Sequence, residues 1–244
     1  MKRTLWLIPM ATMLMTVVSA EAKKLVKTGK EITTEGVLKA FVNIDVGGAY
    51  NVEVKAGEKY AYTMTGDEVY KYVALIEVEE GTLKIKNRER TEVNDHVSPK
   101  IVVTMPILDK AKEMELEVSG ASALQMAGFK GGELSLDING ASKVTLQRVD
   151  VEQLDMEMSG ASVCIIDGYA TQCEAEISGA SSFQASDLDM KYCDIETSGA
   201  SSTKIGKVSN RLKAETSGAS KMVYSGEPKS CDIKTSGVSS TRRQ

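Results

Sequence analysis

The sequence predicts an all-β protein in which a right-handed parallel β-helix of about seven rungs, each about 20 residues long, is capped by an irregular β-rich N-terminal half. A rung is one turn of such a solenoid. Three observations predict this fold class: a short motif recurs at a nearly constant spacing, apolar and polar residues alternate on both sides of it, and like residues recur at the same phase. A fixed period of this size indicates repeats that bury their apolar faces only by stacking on one another.

The recurring motif is Ser-Gly-Ala-Ser. Asn139 once replaces the first serine, Val238 once replaces the alanine, and successive central glycines are 19 or 20 residues apart. Glycine adopts backbone conformations that other residues disfavour, and serine hydroxyls bond to turn backbone, so the motif predicts a corner between two strands. The central glycines are Gly120, Gly140, Gly160, Gly179, Gly199, Gly218 and Gly237.

The residues around each glycine alternate with period two, which is typical of half-buried strands. In the third repeat, positions −6, −4 and −2 from the glycine are Leu154, Met156 and Met158, and positions +4 and +6 are Cys164 and Ile166. A second corner is expected near position +9. An antiparallel meander with one hairpin per repeat would show the same alternation. Parallel stacking is favoured because it turns residues of like phase into continuous ladders, and parallel crossovers are right-handed by default.

Residues 23–112 form a β-rich segment that precedes the repeats over 113–244. Glycines punctuate its short β-type runs, but the runs do not repeat. A polar loop is predicted over 87–99. We expect the segment to cover one open end of the stack, whereas the charged Thr241-Arg-Arg-Gln at the other end should discourage end-to-end pairing. The predicted strands are Phe41–Val46, Tyr50–Val54, Tyr60–Thr65, Tyr72–Val78, Thr82–Lys86 and Lys100–Met105.

Residues 1–20 have the organisation of a secretory signal peptide. A positively charged start precedes an apolar stretch from Leu5 to Val18, and small residues around position 20 suit cleavage. An uncleaved anchor is the alternative, although the stretch is short for a membrane span. The first cysteine is Cys164, which argues against a lipid anchor at the new N-terminus. We expect an exported chain in the periplasm, at the outer-membrane surface or secreted, with no transmembrane segment after cleavage.

Several stretches resemble a known bacterial family. Phe41 to Val54, Leu83-Lys-Ile, Val102-Val-Thr-Met-Pro106 and the Ser-Gly-Ala-Ser series are similar to the auto-transporter adhesin head GIN domain family, first catalogued as a domain of unknown function and common in Bacteroidetes. The resemblance covers nearly all of the chain after the signal peptide. It implies a β-helix-like fold and a cell-envelope setting, and it supplies no catalytic residues.

Acidic residues recur at two polar positions before the glycine. Parallel stacking would place these like charges about 5 Å apart, where they repel. Ca²⁺ accepts several oxygens in irregular geometry, so the sequence predicts a candidate Ca²⁺ face of Glu157, Glu176 and Glu196 with Asp155, Glu174 and Asp194, and no other cofactor. A solvated face that keeps the solenoid soluble is the alternative. Position −3 carries Glu117, Asp137, Glu157, Glu176, Glu196, Glu215 and finally Lys234, and position −5 carries Glu115, Asp155, Glu174, Asp194 and Asp232.

The serines and cysteines suggest no catalytic site. A nucleophilic serine would need a base, and the only histidine, His96, lies in the polar loop with no motif around it. Cys173, Cys193 and Cys231 share one inward position and Cys164 lies in another. We expect buried free thiols, with a Cys173–Cys193 disulfide as the alternative.

The sequence therefore predicts a non-enzymatic, exported cell-envelope protein whose repetitive surface binds an envelope or extracellular ligand, either glycan or protein. Thirty-four acidic and 30 basic residues give a net charge of −4 without a basic cluster, which argues against nucleic acid as a partner. A periplasmic scaffold without an extracellular ligand is the second hypothesis. A carbohydrate-active enzyme is a weaker one, because such sites need a local cluster of acids or bases.

Overall fold

The computed structural model describes residues 23–94, 98–106 and 109–244. The predicted signal peptide and His96 lie outside these residues. The described chain is nearly all-β, as predicted. The N-terminal elements are β1 (Lys23–Val26), β2 (Glu31–Val37), β3 (Asn43–Val46), β4 (Asn51–Ala56), β5 (Ala61–Asp67), α1 (Tyr70–Val73), β6 (Ala74–Glu79), β7 (Thr82–Asn87), β8 (Thr91–Asn94) and β9 (Lys100–Met105). The repeats contain β10 (Asp109–Val118), β11 (Ala123–Ala127), β12 (Lys130–Ile138), β13 (Lys143–Met158), β14 (Val163–Ile177), β15 (Ser182–Thr197), β16 (Ser202–Thr216), β17 (Lys221–Ser225), β18 (Ser230–Thr235) and β19 (Ser240–Arg243).

The repeats stack as parallel strands in register. Glu157 of β13 pairs with Glu176 of β14, which in turn pairs with Glu196 of β15. Each residue thus lies beside its counterpart one repeat away. This register confirms the predicted β-solenoid and excludes the antiparallel meander for the repeats. Right-handed winding stays a prediction.

The parallel stack continues beyond the repeats into the N-terminal half. β10 pairs with β3 and β3 with β7, while β11 pairs with β4 and β4 with β9. The corner between β3 and β4 is also built on glycine, because the Ala121 amide donates to the Gly48 carbonyl at 2.7 Å, as the Ala141 amide does to that of Gly120. β3–β4 and β7–β9 therefore form additional rungs that lack the Ser-Gly-Ala-Ser motif.

Each full rung interrupts its alternation twice, where the sequence predicted a single second corner after the glycine corner. Along β13, buried and unburied side chains alternate except at 147–148 and 152–153, where successive residues are unburied. The backbone bends at the first of these places, where Arg148 has a φ of 54°, and a short stretch over 149–151 separates it from the second. The register shifts between Leu146 and Val149, so the first bend absorbs the difference between 19- and 20-residue repeats. The strand before the glycine keeps its register.

The core fills the interior of the solenoid, and glycine corners let the rungs approach closely. Inward residues such as Ile177 are almost fully buried. Gly199 has a φ of 74°, and a Cβ built on it would lie 2.4 Å from the carbonyl oxygen of Gly179. The Ala200 amide donates to that same carbonyl at 2.8 Å. The motif glycine thus serves both the turn and the stacking of one rung on the next.

The N-terminal end of the stack is covered. β5 pairs antiparallel with β9, β6 pairs antiparallel with β7, and α1 connects β5 to β6. Val69, Tyr70 and Val73 are buried against the interior, and the Tyr70 ring lies edge-on to Tyr50 with centroids 6.2 Å apart. The predicted cap is therefore present.

Two sequence predictions in this cap are wrong in detail. The strand predicted over Tyr72–Val78 begins only at Ala74, because Tyr72 and Val73 belong to α1. The polar loop predicted over 87–99 contains β8, which pairs in parallel with β1. In both cases tertiary contacts override the local sequence pattern. The helix α1 buries Val73 against the N-terminal end of the core, and β8 forms a strand because it pairs with β1.

The C-terminal end of the described stack is open. β18 pairs with β16 and β19 with β17, and no further described strand covers them. Cys231 pairs in register with Leu212, the predicted inward position, but its side chain is exposed. The prediction that all the cysteines are buried is therefore wrong for Cys231, because no described strand lies over it.

Candidate binding face

The acidic residues at position −3 form one continuous column on the side that precedes the glycine corner. We call this set the acidic column and its middle residues, Glu157, Glu176 and Glu196, the central triad. Rungs in a parallel sheet are about 4.8 Å apart, so like charges recur at that spacing. Asp45 lies outside the repeats, and the sequence prediction missed it because no motif marks its rung. In register order the column runs Asp45, Glu117, Asp137, Glu157, Glu176, Glu196, Glu215, with Lys84 before it and Lys234 after it.

Lysines form ion pairs with carboxylates in the C-terminal part of this face but, among the described residues, with none in its middle. The Lys234 Nζ lies 2.8 Å from Glu215 Oε1. In the neighbouring column at position −5, Lys213 Nζ lies 3.1 Å from Asp194 Oδ1. Within the part of the chain that the structure describes, the central triad makes no ion pair. The triad is therefore the segment where an external cation or hydrogen-bond donor would gain most.

Titration behaviour reflects the same crowding of negative charge. Partial desolvation, followed by the nearby carboxylate of Asp45, raises the pKa of Glu117 above its ordinary value. Burial likewise raises the pKa of Asp155, and the carboxylate of Glu133 adds to the effect. The Gln153 amide opposes it by donating from Nε2 to Asp155 Oδ2 at 2.8 Å. The face thus disfavours a negatively charged ligand and favours a cation or a group that donates hydrogen bonds.

A groove of about 500 Å³ runs beside the acidic column. Asn139 Nδ2 donates to Asp137 Oδ1, and Ser159 Oγ donates to Asn139 Oδ1, so neighbouring residues at positions −3 and −1 are linked at this end of the groove. Each rung offers the groove one side chain from position −3 and one from position −1. The position −3 residues are Asp137, Glu157, Glu176, Glu196, Glu215 and Lys234, and those at position −1 are Asn139, Ser159, Ser178, Ser198, Ser217 and Ser236.

Family comparison places the chain among known sequences. The family model described as "Putative auto-transporter adhesin, head GIN domain" matches residues 40–228. The chain belongs to this family. The match confirms the resemblance predicted from the sequence, and it extends from just before β3 to just before β18. No match was found among curated proteins.

Solved structures share the fold of this head GIN domain. A putative adhesin from Bacteroides fragilis superposes with a TM-score of 0.81 at 18% identity, covering 90% of this chain and 100% of its own. A putative adhesin from Parabacteroides merdae gives 0.69 at 15% identity, covering 91% and 100%. A putative lipid binding protein from Parabacteroides distasonis gives 0.69 at 17% identity, with the same coverage. At these identities the likeness establishes the β-solenoid fold alone.

The carboxylates of this head GIN domain are arranged in lines. Across residues 23–94, 98–106 and 109–244, no group of three or more His, Cys, Asp or Glu side chains is placed to hold a metal ion. The predicted Ca²⁺ ligands lie instead in two adjacent columns, the central triad in one and Asp155, Glu174 and Asp194 in the other. Binding would require neighbouring carboxylates to turn toward a shared ion. A Ca²⁺ face therefore stays a prediction.

Several motif serines at position +2 support the corner backbone, whereas the hydroxyls of Ser142 and Ser181 have no hydrogen-bond partner among the described residues. Ser162 Oγ donates to the Ser159 carbonyl and Ser201 Oγ to the Ser198 carbonyl, both at 2.8 Å. Ser162 and Ser201 are buried. A buried hydroxyl held by a backbone acceptor satisfies its own polar group and is not positioned as a nucleophile.

The buried cysteines behave as packing residues. Cys173 and Cys193 pair in register on neighbouring rungs, and both are free thiols. The adjacent Cys173 thiol and burial raise the pKa of Cys193, and burial raises the pKa of Cys164 to about 12. Since the thiolate is the reactive form, a raised pKa makes the Cys164 and Cys193 thiols poor nucleophiles.

Proposed function

We propose that this head GIN domain is a non-catalytic binding module of the cell envelope and that its ligand lies along the groove beside the acidic column. The observation that carries the proposal is the repetition in that groove: successive rungs present one carboxylate and one hydroxyl or amide at the same phase. The family is described as an adhesin family, which supports binding rather than catalysis.

The carboxylates and hydroxyls of the groove suit an extended ligand that carries hydrogen-bond donors. Carboxylates and serine hydroxyls accept hydrogen bonds from sugar hydroxyls, and carboxylates also pair with lysine or arginine side chains. From Asp137 to Lys234 the groove crosses five rung-to-rung steps, or about 24 Å at the spacing of parallel strands. A linear glycan or an extended basic segment of a protein would contact several rungs at once. Many weak, equivalent contacts would then add up.

Catalysis is less well supported by the same geometry. Glycoside-cleaving sites use two carboxylic groups in unlike environments, so that one can act as an acid and the other as a base or nucleophile. In this face, by contrast, members of the central triad occupy equivalent positions on successive rungs. A carbohydrate-active enzyme therefore stays the weaker alternative, and the binding experiment below would reveal it.

We infer that the protein works after export. The N-terminal sequence has the pattern of a signal peptide, and the family description refers to an auto-transporter adhesin. No helix among the described residues is long and apolar enough to cross a membrane. Protease treatment of whole cells distinguishes the two settings: cleavage on intact cells supports exposure at the outer surface, whereas protection until the outer membrane is permeabilised supports the periplasmic scaffold.

Arrays of glycans and matrix proteins, probed with the purified chain lacking residues 1–20, test the binding proposal. We expect binding to a restricted class of ligands and its loss when the central triad is changed to glutamine. The matched control removes the same charge from exposed positions elsewhere on the rungs, with Glu152→Gln, Asp187→Asn and Asp189→Asn, and should retain binding. Equal binding by both variants would contradict the assigned face. Turnover of a polysaccharide would instead favour the enzyme hypothesis.

A further inference from the structure

The open end of the solenoid presents a free strand edge. Every residue of β18 is exposed, and among the described strands it pairs only with β16. An unpaired edge displays a row of N–H and C=O groups that can template pairing with another strand. At the opposite end of the stack, α1 and the antiparallel strands β5 and β6 cover the core. The two ends are therefore unequal.

The two strands at this end differ in the charges that they carry: β19 ends in two arginines, whereas β18 carries one acid and one base, Asp232 and Lys234. Arg243 pairs in register with Tyr224, and its guanidinium lies 2.6 Å from Glu227 Oε1. A charged side chain on an edge strand discourages pairing with a further strand. The protection that the sequence predicted from Thr241-Arg-Arg-Gln concerns β19 and stays a prediction. The inward positions of β18 are the uncharged Cys231, Ile233 and Thr235.

We propose that β18 pairs antiparallel with β18 of a second copy of this chain, about a two-fold axis that passes through Ile233. In an antiparallel pair, directly opposed side chains lie on the same face of the sheet. Centred on Ile233, the pairing places Asp232 of each copy opposite Lys234 of the other, and Ile233 against itself. Centring on Asp232 or on Lys234 would oppose like charges. Among these three registers, charge complementarity selects the one centred on Ile233.

The ion pairs within one copy leave the carboxylate of Asp232 available to a second copy. Lys234 bonds to Glu215 of its own chain, on the side away from the free edge, whereas Asp232 makes no ion pair with a described residue. Across the two-fold axis, Asp232 of each copy would gain the ammonium group of Lys234 in the other. The contact uses the same surface on both copies, so it closes as a dimer and does not propagate. The sides that carry the acidic column would become one continuous sheet.

Sedimentation velocity on the full chain and its charge variants tests the pairing. We expect wild-type protein to dimerise as its concentration rises, and added NaCl to weaken the dimer because the pairs are exposed. Asp232→Lys alone and Lys234→Asp alone each oppose like charges twice and should weaken self-association by about tenfold or more. An equimolar mixture of the two variants restores both pairs and should form a one-to-one heterodimer. Circular dichroism confirms that each variant is folded.

Oxidative cross-linking tests the register. In the proposed pairing Thr235 lies opposite Cys231 of the second copy, so Thr235→Cys should give a disulfide-linked dimer. Wild-type chains should not cross-link, since their Cys231 residues would be about 14 Å apart along the strands. Thr235→Cys combined with Cys231→Ser is the control and should not form that bond. Monomeric wild-type protein at all concentrations, species larger than a dimer, or failure of the mixed variants to associate would each overturn the proposal.

Discussion

Gly199→Ala isolates what the motif glycine contributes to the stack. At a φ of 74° an alanine costs about 1 kcal/mol more than glycine, after allowing for the lower entropy of the unfolded chain. The added Cβ would also lie 2.4 Å from the Gly179 carbonyl oxygen, a backbone atom that cannot move without separating two rungs. Overpacking of this kind costs about 1–3 kcal/mol. The expected loss of unfolding free energy is therefore about 2–4 kcal/mol.

Gly81→Ala is the matched control because it carries only the conformational term. Gly81 has a φ of 80°, but a Cβ there would meet no atom of the described residues within 4 Å. We expect Gly81→Ala to cost about 1 kcal/mol. Urea unfolding followed by circular dichroism compares the two variants. Both the midpoint and the slope of each unfolding transition are needed, because a solenoid can depart from two-state unfolding. If Gly199→Ala costs no more than Gly81→Ala, close approach of the rungs is not the reason for the glycine.

Four further outcomes follow from particular residues. Ser201→Ala should cost about 1 kcal/mol by removing a 2.8 Å hydrogen bond to the Ser198 carbonyl, whereas Ser181→Ala should be nearly neutral because the Ser181 hydroxyl has no hydrogen-bond partner among the described residues. Equal urea midpoints would contradict this. Ile177→Asp should cost several kcal/mol by placing an unpaired charge in the core, and an unchanged melting temperature would refute the inward assignment. The raised pKa of Glu117 shows that the folded state disfavours its charged form. Glu117→Gln should therefore stabilise the protein at pH values above that pKa, and this stabilisation should disappear as the pH falls below the pKa of Glu117 in the unfolded chain. A stabilisation that does not change with pH would contradict this. Millimolar Ca²⁺ should raise the melting temperature at low ionic strength, and changing the central triad to glutamine should abolish the rise, unless NaCl at matched ionic strength reproduces it fully.

Much of the candidate face could be predicted from the sequence, but its limits could not. The repeat places Glu157, Glu176 and Glu196 at one phase, and in-register stacking brings them together as expected. Asp45 joins the same column only because β3 pairs with β10, and no local pattern indicates that pairing. The bond from Lys234 to Glu215 also depends on a side chain reaching back one rung. Charge compensation is thus a property of neighbours across the stack.

By itself, the sequence determined the solenoid, its glycine corners and the alternation of inward and outward positions. It could do so because contacts in a repeat protein join equivalent positions on adjacent rungs, so the repeat spacing is also the contact map. Only the tertiary structure decided how the stack begins and which positions its last rung leaves uncovered. β3, β4, β7 and β9 join the stack, α1 covers its start, and Cys231 is exposed at its inward position. The first of these features depends on which strand edge is available for each segment to pair with. The exposure of Cys231 shows that the burial of a residue depends on the neighbouring rung and not on the residue alone.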